Sequence, residues 1–300
     1  MTGASGFVGG AVACMLHGQG YDVLPFGRRN VDAAHPWLAE YAQWDLTRDV
    51  RALDVDAVVH CAALVRQCAP RRAFWKSNVH GTANVLAGTP AGARVVYIST
   101  ASVYARSHAN TPIGEAAAFG ASSKYGASKR AGELLAQAHN RSTVILRPHI
   151  VYGPGDTTLW PRVVAARRDG VLTVPGTGRN AVSVTHLDNL LAAVASALAP
   201  ETPGGVYNVA DAESPTIDEM LRTMFSRHSL PTRLRYVPKW VAWPVAALLE
   251  AAWRATGQDD DPPLTRFSVA GLADPCVLDI SRARNVLGYA PTVGFRDGAL

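Results

Sequence analysis

Short apolar runs of four or five residues alternate with segments of helical spacing through the first two-thirds of the chain. Val8 to Leu16 is an apolar stretch that opens the chain as a helix, and Asp22 to Phe26 reads as a short strand. A further strand is expected just before Asp45. Asp56 to His60 reads as a buried strand, Ser77 to Leu86 as a helix, and Arg94 to Ser99 as another buried strand. Tyr125 to Ala138 repeats its apolar positions at helical spacing, and Ser142 to Leu146 follows as a strand. Runs that are apolar without alternation belong to strands covered on both faces. The pattern predicts an α/β protein with a doubly wound parallel sheet. Such sheets bind ligands at the carboxyl ends of their strands.

The chemistry-bearing residues fall at those ends. Gly3, Gly6 and Gly9 recur every third residue in MTGASGFVGG and lead into the first helix. This spacing suits a tight turn that brings backbone close to a pyrophosphate, with the helix N-terminus offering free N–H groups. Almost nothing precedes Thr2, so the strand that should carry this turn is expected to be missing. On that expectation the neighbouring strands would hold unpaired backbone groups and the chain as written would be poorly stable. After the second strand, Gly27-Arg28-Arg29 offers charge for a 2′-phosphate where an NAD site would place an acid; two solvated Arg are the alternative. Asp45-Leu46 would close over an adenine, or Asp45 is a plain surface acid. His60 reads as a half-buried, satisfied side chain, and the small Cys61, Ala62 and Ala63 after it allow close approach to a cofactor. Ser99-Thr100 ends a strand, and Tyr125 and Lys129 share a helix face about 6 Å apart. There a Lys ammonium would lower the Tyr pKa, and a Thr hydroxyl would hold a carbonyl oxygen beside the phenol.

Composition narrows the partners. Of 300 residues 48% are hydrophobic and 18% charged, as in a globular chain. The net charge of +5 comes from scattered Arg, with no basic helix or aromatic-basic motif, so nucleic acid is not an expected partner. Cys14, Cys61, Cys68 and Cys276 form no CxxC pair and read as free thiols; no metal site is expected. No signal-peptide pattern opens the chain, and a cytoplasmic location is expected. The apolar stretch Trp240 to Trp253 is shorter than the roughly 20 residues that span a bilayer. It reads as a core helix, a wall for a bulky hydrophobic substrate, or a peripheral membrane contact.

Taken in order, TGASGFVG (2–9), DL (45–46), HCAA (60–63), SNVHGTANV (77–85), YISTASVY (97–104), YGASK (125–129), RPHIVYGPGD (147–156), SVTHLDNLLAAV (183–194) and GVYNVAD (205–211) resemble an extended short-chain dehydrogenase/reductase. The resemblance implies a Rossmann-type NADP-binding domain from 1–150 and 182–210, with a smaller substrate lobe from 151–181 and 211–300. It implies Tyr125 as general acid/base, Lys129 as its electrostatic partner and Thr100 as the triad hydroxyl. The implied cofactor shell comprises Gly3, Ser5, Gly6, Phe7, Val8 and Gly9 at the turn, with Arg28, Arg29, Asp45 and Leu46 beyond it. Cys61, Ala62, Ala63, Asn78, Ser99, Tyr125, Lys129, Pro148, Ile150 and Val151 complete it. NADP(H) is favoured over NAD(H).

Dehydratases of this family usually follow the triad Thr with Asp-Glu; here Ala101-Ser102 follows, which disfavours that chemistry. The last third, from Arg235 through WPVAALLEAAW (243–253) to Phe295, resembles the 3β-hydroxysteroid dehydrogenase-like branch. The implied activity interconverts a hydroxyl and a ketone on a steroid-like or β-keto lipid substrate. A sugar-nucleotide epimerase, with Arg162, Arg168 and Arg179 facing a diphosphate, is the alternative, and a non-catalytic NADP-sensing module the second. A homodimer is expected by analogy. The C-terminus at Gly298-Ala-Leu300 looks clipped relative to the family.

Overall fold

The apolar runs assemble at the centre of the protein, which the computed structural model describes for residues 1–31, 35–105, 111–120, 123–256 and 260–296. The stretch 298–300, where the sequence looks clipped, lies outside them. In chain order come α1 (Phe7–Gly18), β1 (Phe26–Gly27), β2 (Ala42–Gln43) and β3 (Ala57–His60). Next, α2 (Arg71–Trp75), a π turn (Lys76–His80) and α3 (Gly81–Gly88) run on without a break. β4 (Arg94–Ile98), α4 (Lys124–His139), β5 (Val144–Pro148), β6 (Val151–Tyr152), α5 (Leu159–Ala166) and β7 (Val171–Pro175) follow. Then come β8 (Thr185–His186), α6 (Leu187–Leu198), β9 (Gly205–Val209), α7 (Ile217–Arg227) and β10 (Arg233–Val237). α8 (Lys239–Thr256), α9 (Arg266–Ala273) and α10 (Ser281–Leu287) complete the chain.

The main sheet is parallel, in the order β2, β1, Thr2, β3, β4, β5, β9. Thr2 occupies the slot of the expected first strand, bridging Phe26 on one side and His60 on the other. Its N–H donates to Val59 O at 3.0 Å, and its carbonyl accepts from Cys61 at 3.2 Å. Phe26 N–H donates to Met1 O, and Ala4 N–H donates to Phe26 O. The backbone groups expected to be orphaned here are therefore paired. The strand expected from Asp22 to Phe26 is shorter than its sequence pattern, because only Phe26 and Gly27 have ladder partners.

β5 is buried along its whole length, which is why its residues read as a continuous apolar run. α1, α6 and α10 cover one face of the sheet around Val12, Leu16, Val96, Leu146, Leu190 and Val194. Each such side chain stabilises the fold by about 1.5–3 kcal/mol on burial. α3 and α4 cover the other face, over Val95, Tyr97 and Ile145. Leu278, Ile280, Leu287 and Tyr289, which the expected boundary assigns to the substrate lobe, pack in the first of these cores. Elsewhere β7 pairs with β10 and β6 with β8, and a second core buries Leu172, Val182, Ile217, Met224 and Phe225. All four cysteines are free thiols. Among the described residues no helix is long and apolar enough to cross a membrane.

Candidate active site

The glycine turn is a cradle that side chains would fill. Gly3 has φ +81°, and a Cβ there would lie 2.7 Å from Ala62 N. A Cβ on Gly9 would stand 2.1 Å from Gly3 O, so α1 begins directly against the turn. The first turn of α1 has no side-chain cap and no acidic residue. Its first N–H groups lack a side-chain cap, and with the helix dipole they suit an anion. These features fit a dinucleotide pyrophosphate. The turn packs against the segment after β3: Ala62 N–H donates to Thr2 Oγ1 at 3.4 Å. Phe7, at the start of α1, approaches the loop carrying Gly155.

At the adenosine end, Arg29 turns back to donate to Ser5 O, while Arg28 is exposed. Tyr41 donates to Arg29 O. Asp45 forms a local turn instead of reaching outward, since its Oδ1 accepts from Thr47 N at 3.0 Å and Thr47 Oγ1 at 2.8 Å. Burial works against its charge, but the Thr47 hydrogen bonds and nearby Arg48 hold its carboxyl below the usual range. The Leu46 side chain joins Trp44, Val58 and Val85 in a small core, and its carbonyl accepts from Asn84.

Thr100, Tyr125 and Lys129 gather where β4 ends and α4 begins. Thr100 caps the 3₁₀ turn Ala101–Val103, accepting from Ser102 N at 3.2 Å. Ser123 caps α4 by accepting from Gly126 N at 3.0 Å. A Cβ on Gly126 would lie 2.0 Å from Ser102 O, so the helix closes on the 3₁₀ turn only because that position is glycine. This contact brings the Thr100 side chain beside the Tyr125 phenol. Burial nevertheless pushes the Tyr125 pKa up to about 12, against the neighbouring Thr100 hydroxyl, which works to lower it.

The direction is opposite to the lowering expected from a neighbouring ammonium. Lys129 is itself desolvated: its amine is pulled down to about 7 by burial, although Glu133 and Cys61 act to raise it. Its Nζ lies 4.0 Å from the centre of the Tyr97 ring. His60 is fully buried rather than half-buried, with Nδ1 2.6 Å from Thr2 Oγ1 and Nε2 2.9 Å from Thr82 Oγ1. Burial, and then Lys129, lower its pKa to about 3.

Two residues expected in the cofactor shell have their side chains engaged by protein groups. Ser99 Oγ donates to Glu133 Oε1 at 2.5 Å. The Asn78 amide accepts from Leu64 N at 2.7 Å and donates to Leu64 O and Ser128 Oγ, tying the segment after β3 to α4. Cys61 is a thiol that burial raises to about 12. Pro148 ends β5, and Ile150 follows with φ 42°, a strained conformation for a β-branched residue. Val151 begins β6.

Sequence reasoning missed the support beneath the trio. Glu133 is buried and accepts from Arg147 Nε at 2.8 Å and Nη2 at 2.7 Å, and from Arg130 at 2.9 Å. Arg147 Nη1 reaches Tyr104 at 2.8 Å, and Tyr104 donates to Asn208 Oδ1 at 2.6 Å. The signal was present, because Tyr125, Lys129 and Glu133 recur every four residues on one helix. Asp261 was missed as well. It accepts from Gln67 N at 3.0 Å and Cys68 N at 2.8 Å, and pairs with Arg66 and Arg162. That carboxylate fastens the loop after β3 to the segment between α8 and α9.

Residues 1–210 match the family described as NAD dependent epimerase/dehydratase. The 2-alkyl-3-oxoalkanoate reductase of Shewanella oneidensis is 31% identical over 324 residues, spanning 99% of this chain and 83% of that protein. The enzyme of the same name from Stenotrophomonas maltophilia is 31% identical over 316 residues, spanning 99% of this chain and 96% of that protein. MoeE5 in complex with UDP-glucose and NAD has a similar structure, with a TM-score of 0.75 and 22% identity over 99% of this chain and 94% of that one. At that identity the likeness is one of fold.

Proposed function

The chain belongs to the NAD dependent epimerase/dehydratase family, and within it we propose an oxidoreductase that interconverts a hydroxyl and a ketone on a hydrophobic, β-hydroxy/β-keto substrate. One observation carries this reading: the Thr100 hydroxyl placed beside the Tyr125 phenol, with the buried Lys129 amine one helical turn further on. The substrate class rests on the two reductases of 2-alkyl-3-oxoalkanoates that share 31% of their residues with nearly the whole chain. Of the three Arg considered for a sugar diphosphate, Arg162 is paired with Asp261, and Arg168 donates to the Ala165 and Arg167 carbonyls. Both engagements favour the ketone reading over epimerisation.

The glycine cradle and the uncapped first turn of α1 would hold the cofactor pyrophosphate, and Lys129 its nicotinamide ribose. When bound, the nicotinamide supplies hydride to the carbonyl carbon or takes it back in the reverse direction. Thr100 holds the carbonyl oxygen with its hydroxyl. Tyr125 gives that oxygen its phenolic proton; a phenol held at about 12 is fully protonated at neutral pH, as a proton donor must be. The absence of an acid in Gly27-Arg28-Arg29 favours NADP(H), with the exposed Arg28 meeting the 2′-phosphate. A homodimer is proposed through the face of α4 that exposes Leu134.

The test is consumption of NADPH in the presence of β-keto acids of increasing chain length. Tyr125→Phe should lower turnover by about 10²–10⁴-fold while cofactor binding survives; an unchanged rate would remove Tyr125 from the mechanism. Conversion of a UDP-sugar with no net loss of NADPH would restore the epimerase. Arg28→Ala should weaken NADPH by about tenfold, as expected for losing a charge-assisted bond, and leave NADH unchanged. Equal affinities throughout would end the Arg28 assignment.

A further inference from the structure

α8 carries most of its apolar surface on the outside. Its inner face, Ala242 and Ala246, packs with Val269 of α9 and Leu264. The one acid in the helix, Glu250, is buried and paired with Arg266 at 2.8 Å. The outer half presents Trp240, Trp243, Pro244, Val245 and Leu248, with Trp240 78% and Leu248 73% exposed. Trp240, Pro244 and Leu248 recur every four residues and so form one stripe. No acid of α8 faces outward with them, and Arg254 lies exposed near the end of the helix.

Single exposed apolar residues are ordinary, but a continuous stripe marks a surface that meets something. A second copy of the chain is a poor fit. The helix has 18 residues, so at 1.5 Å per residue its face is about 27 Å long and offers roughly 300 Å². A stable protein interface takes about 800 Å² from each partner. A bilayer surface requires no matching shape, and it accepts helices with a wide apolar face, Trp side chains and cations at the margin. The chain's net charge of +5 favours approach to an anionic headgroup layer.

We propose that α8 seats this protein on a lipid bilayer, lying in the interface with Trp240, Pro244 and Leu248 toward the acyl chains and Arg254 among the headgroups. The proposal stands on the exposure of α8 and does not depend on the reaction assigned above. The experiment is co-sedimentation of the full chain with vesicles of phosphatidylcholine mixed with phosphatidylglycerol. Wild type should sediment with the vesicles at both low and about 0.5 M salt, since apolar insertion survives screening. The double variant Trp240→Glu/Leu248→Glu should bind about tenfold less, with unchanged melting temperature and unchanged turnover of a short-chain ketone. Trp240→Ser alone, a milder change, should give an intermediate loss if the double variant folds poorly.

Three results would overturn the proposal. Wild type could remain in the supernatant, or it could sediment but be released entirely by salt, which is adhesion of a basic protein and not insertion. The third is a wild-type dimer that the variant converts to monomer without any vesicle binding, which would make the stripe a contact between copies.

Discussion

Lys129 keeps its amine inside the protein at a pKa of about 7, lowered by burial, where an exposed Lys titrates near 10.5. Between those values the unfolded chain binds a proton that the folded chain has lost, so stability rises with pH across the window. His60, buried with a pKa of about 3, works at the acid end: its contribution is lost as pH falls from about 6.5 toward 3. The urea midpoint of the wild-type protein should therefore climb from pH 7 toward pH 10. In Lys129→Met that climb should be flattened, while the fall below pH 6.5 remains. An identical profile in both proteins would show that Lys129 is not desolvated as the structure places it. The same burial explains why Tyr125 moves up instead of down. A Lys amine whose charge burial disfavours, and that lies over the Tyr97 ring, is a weak source of stabilisation for a neighbouring phenolate.

At the level of elements, the decisive contact is the seating of α4 on the 3₁₀ turn through Gly126. Gly126→Val would drive side-chain atoms into Ser102 O and part Thr100 from Tyr125. Turnover should fall by about 10²-fold, because a displacement of about 1 Å costs that much in catalysis. Cofactor affinity, set mainly by the glycine turn that follows Thr2 and not by the seat of α4, should change little. Kinetics and cofactor titration on the same sample check both.

The strands β3, β4 and β5 and the helix α4 were legible because buried runs and helical spacing are written in the sequence itself. α2 was not, since Arg71–Trp75 buries only Phe74 and shows no apolar period. The paired strands β6 with β8 and β7 with β10 were also hidden: two are only two residues long, and their partners are remote in sequence. Thr100, Tyr125 and Lys129 could be placed from strand ends and spacing. The Glu133–Arg147 pair could not, because an Arg at the end of a buried strand reveals its partner only when the sheet is assembled.

Across the whole molecule, Asp261 ties the loop after β3 to the segment between α8 and α9. Its carboxylate holds two N–H groups of the loop after β3, Thr265 donates to Gln67 Oε1 at 2.6 Å, and Asn78 grips the same loop at Leu64. Hydrogen bonds to a charged group contribute about 1.5–3 kcal/mol each. Asp261→Ala should lower the melting temperature by several degrees and speed amide exchange at Gln67 and Cys68. It should also raise KM for the ketone more than it weakens the cofactor. Unchanged exchange at those two amides would show that the loop is held by other means.

The return of Leu278, Ile280, Leu287 and Tyr289 to the core beside Val12 and Leu16 sets a schedule for synthesis. As the ribosome makes the chain, α1 emerges early and its packing partners emerge late. The part of that flank covered by these four residues stays open until residues 278–289 have been translated, long after α6 has emerged. Folding there is timed by the slowest, most distant contacts, and the nascent chain is most exposed to chaperones and to aggregation on that side.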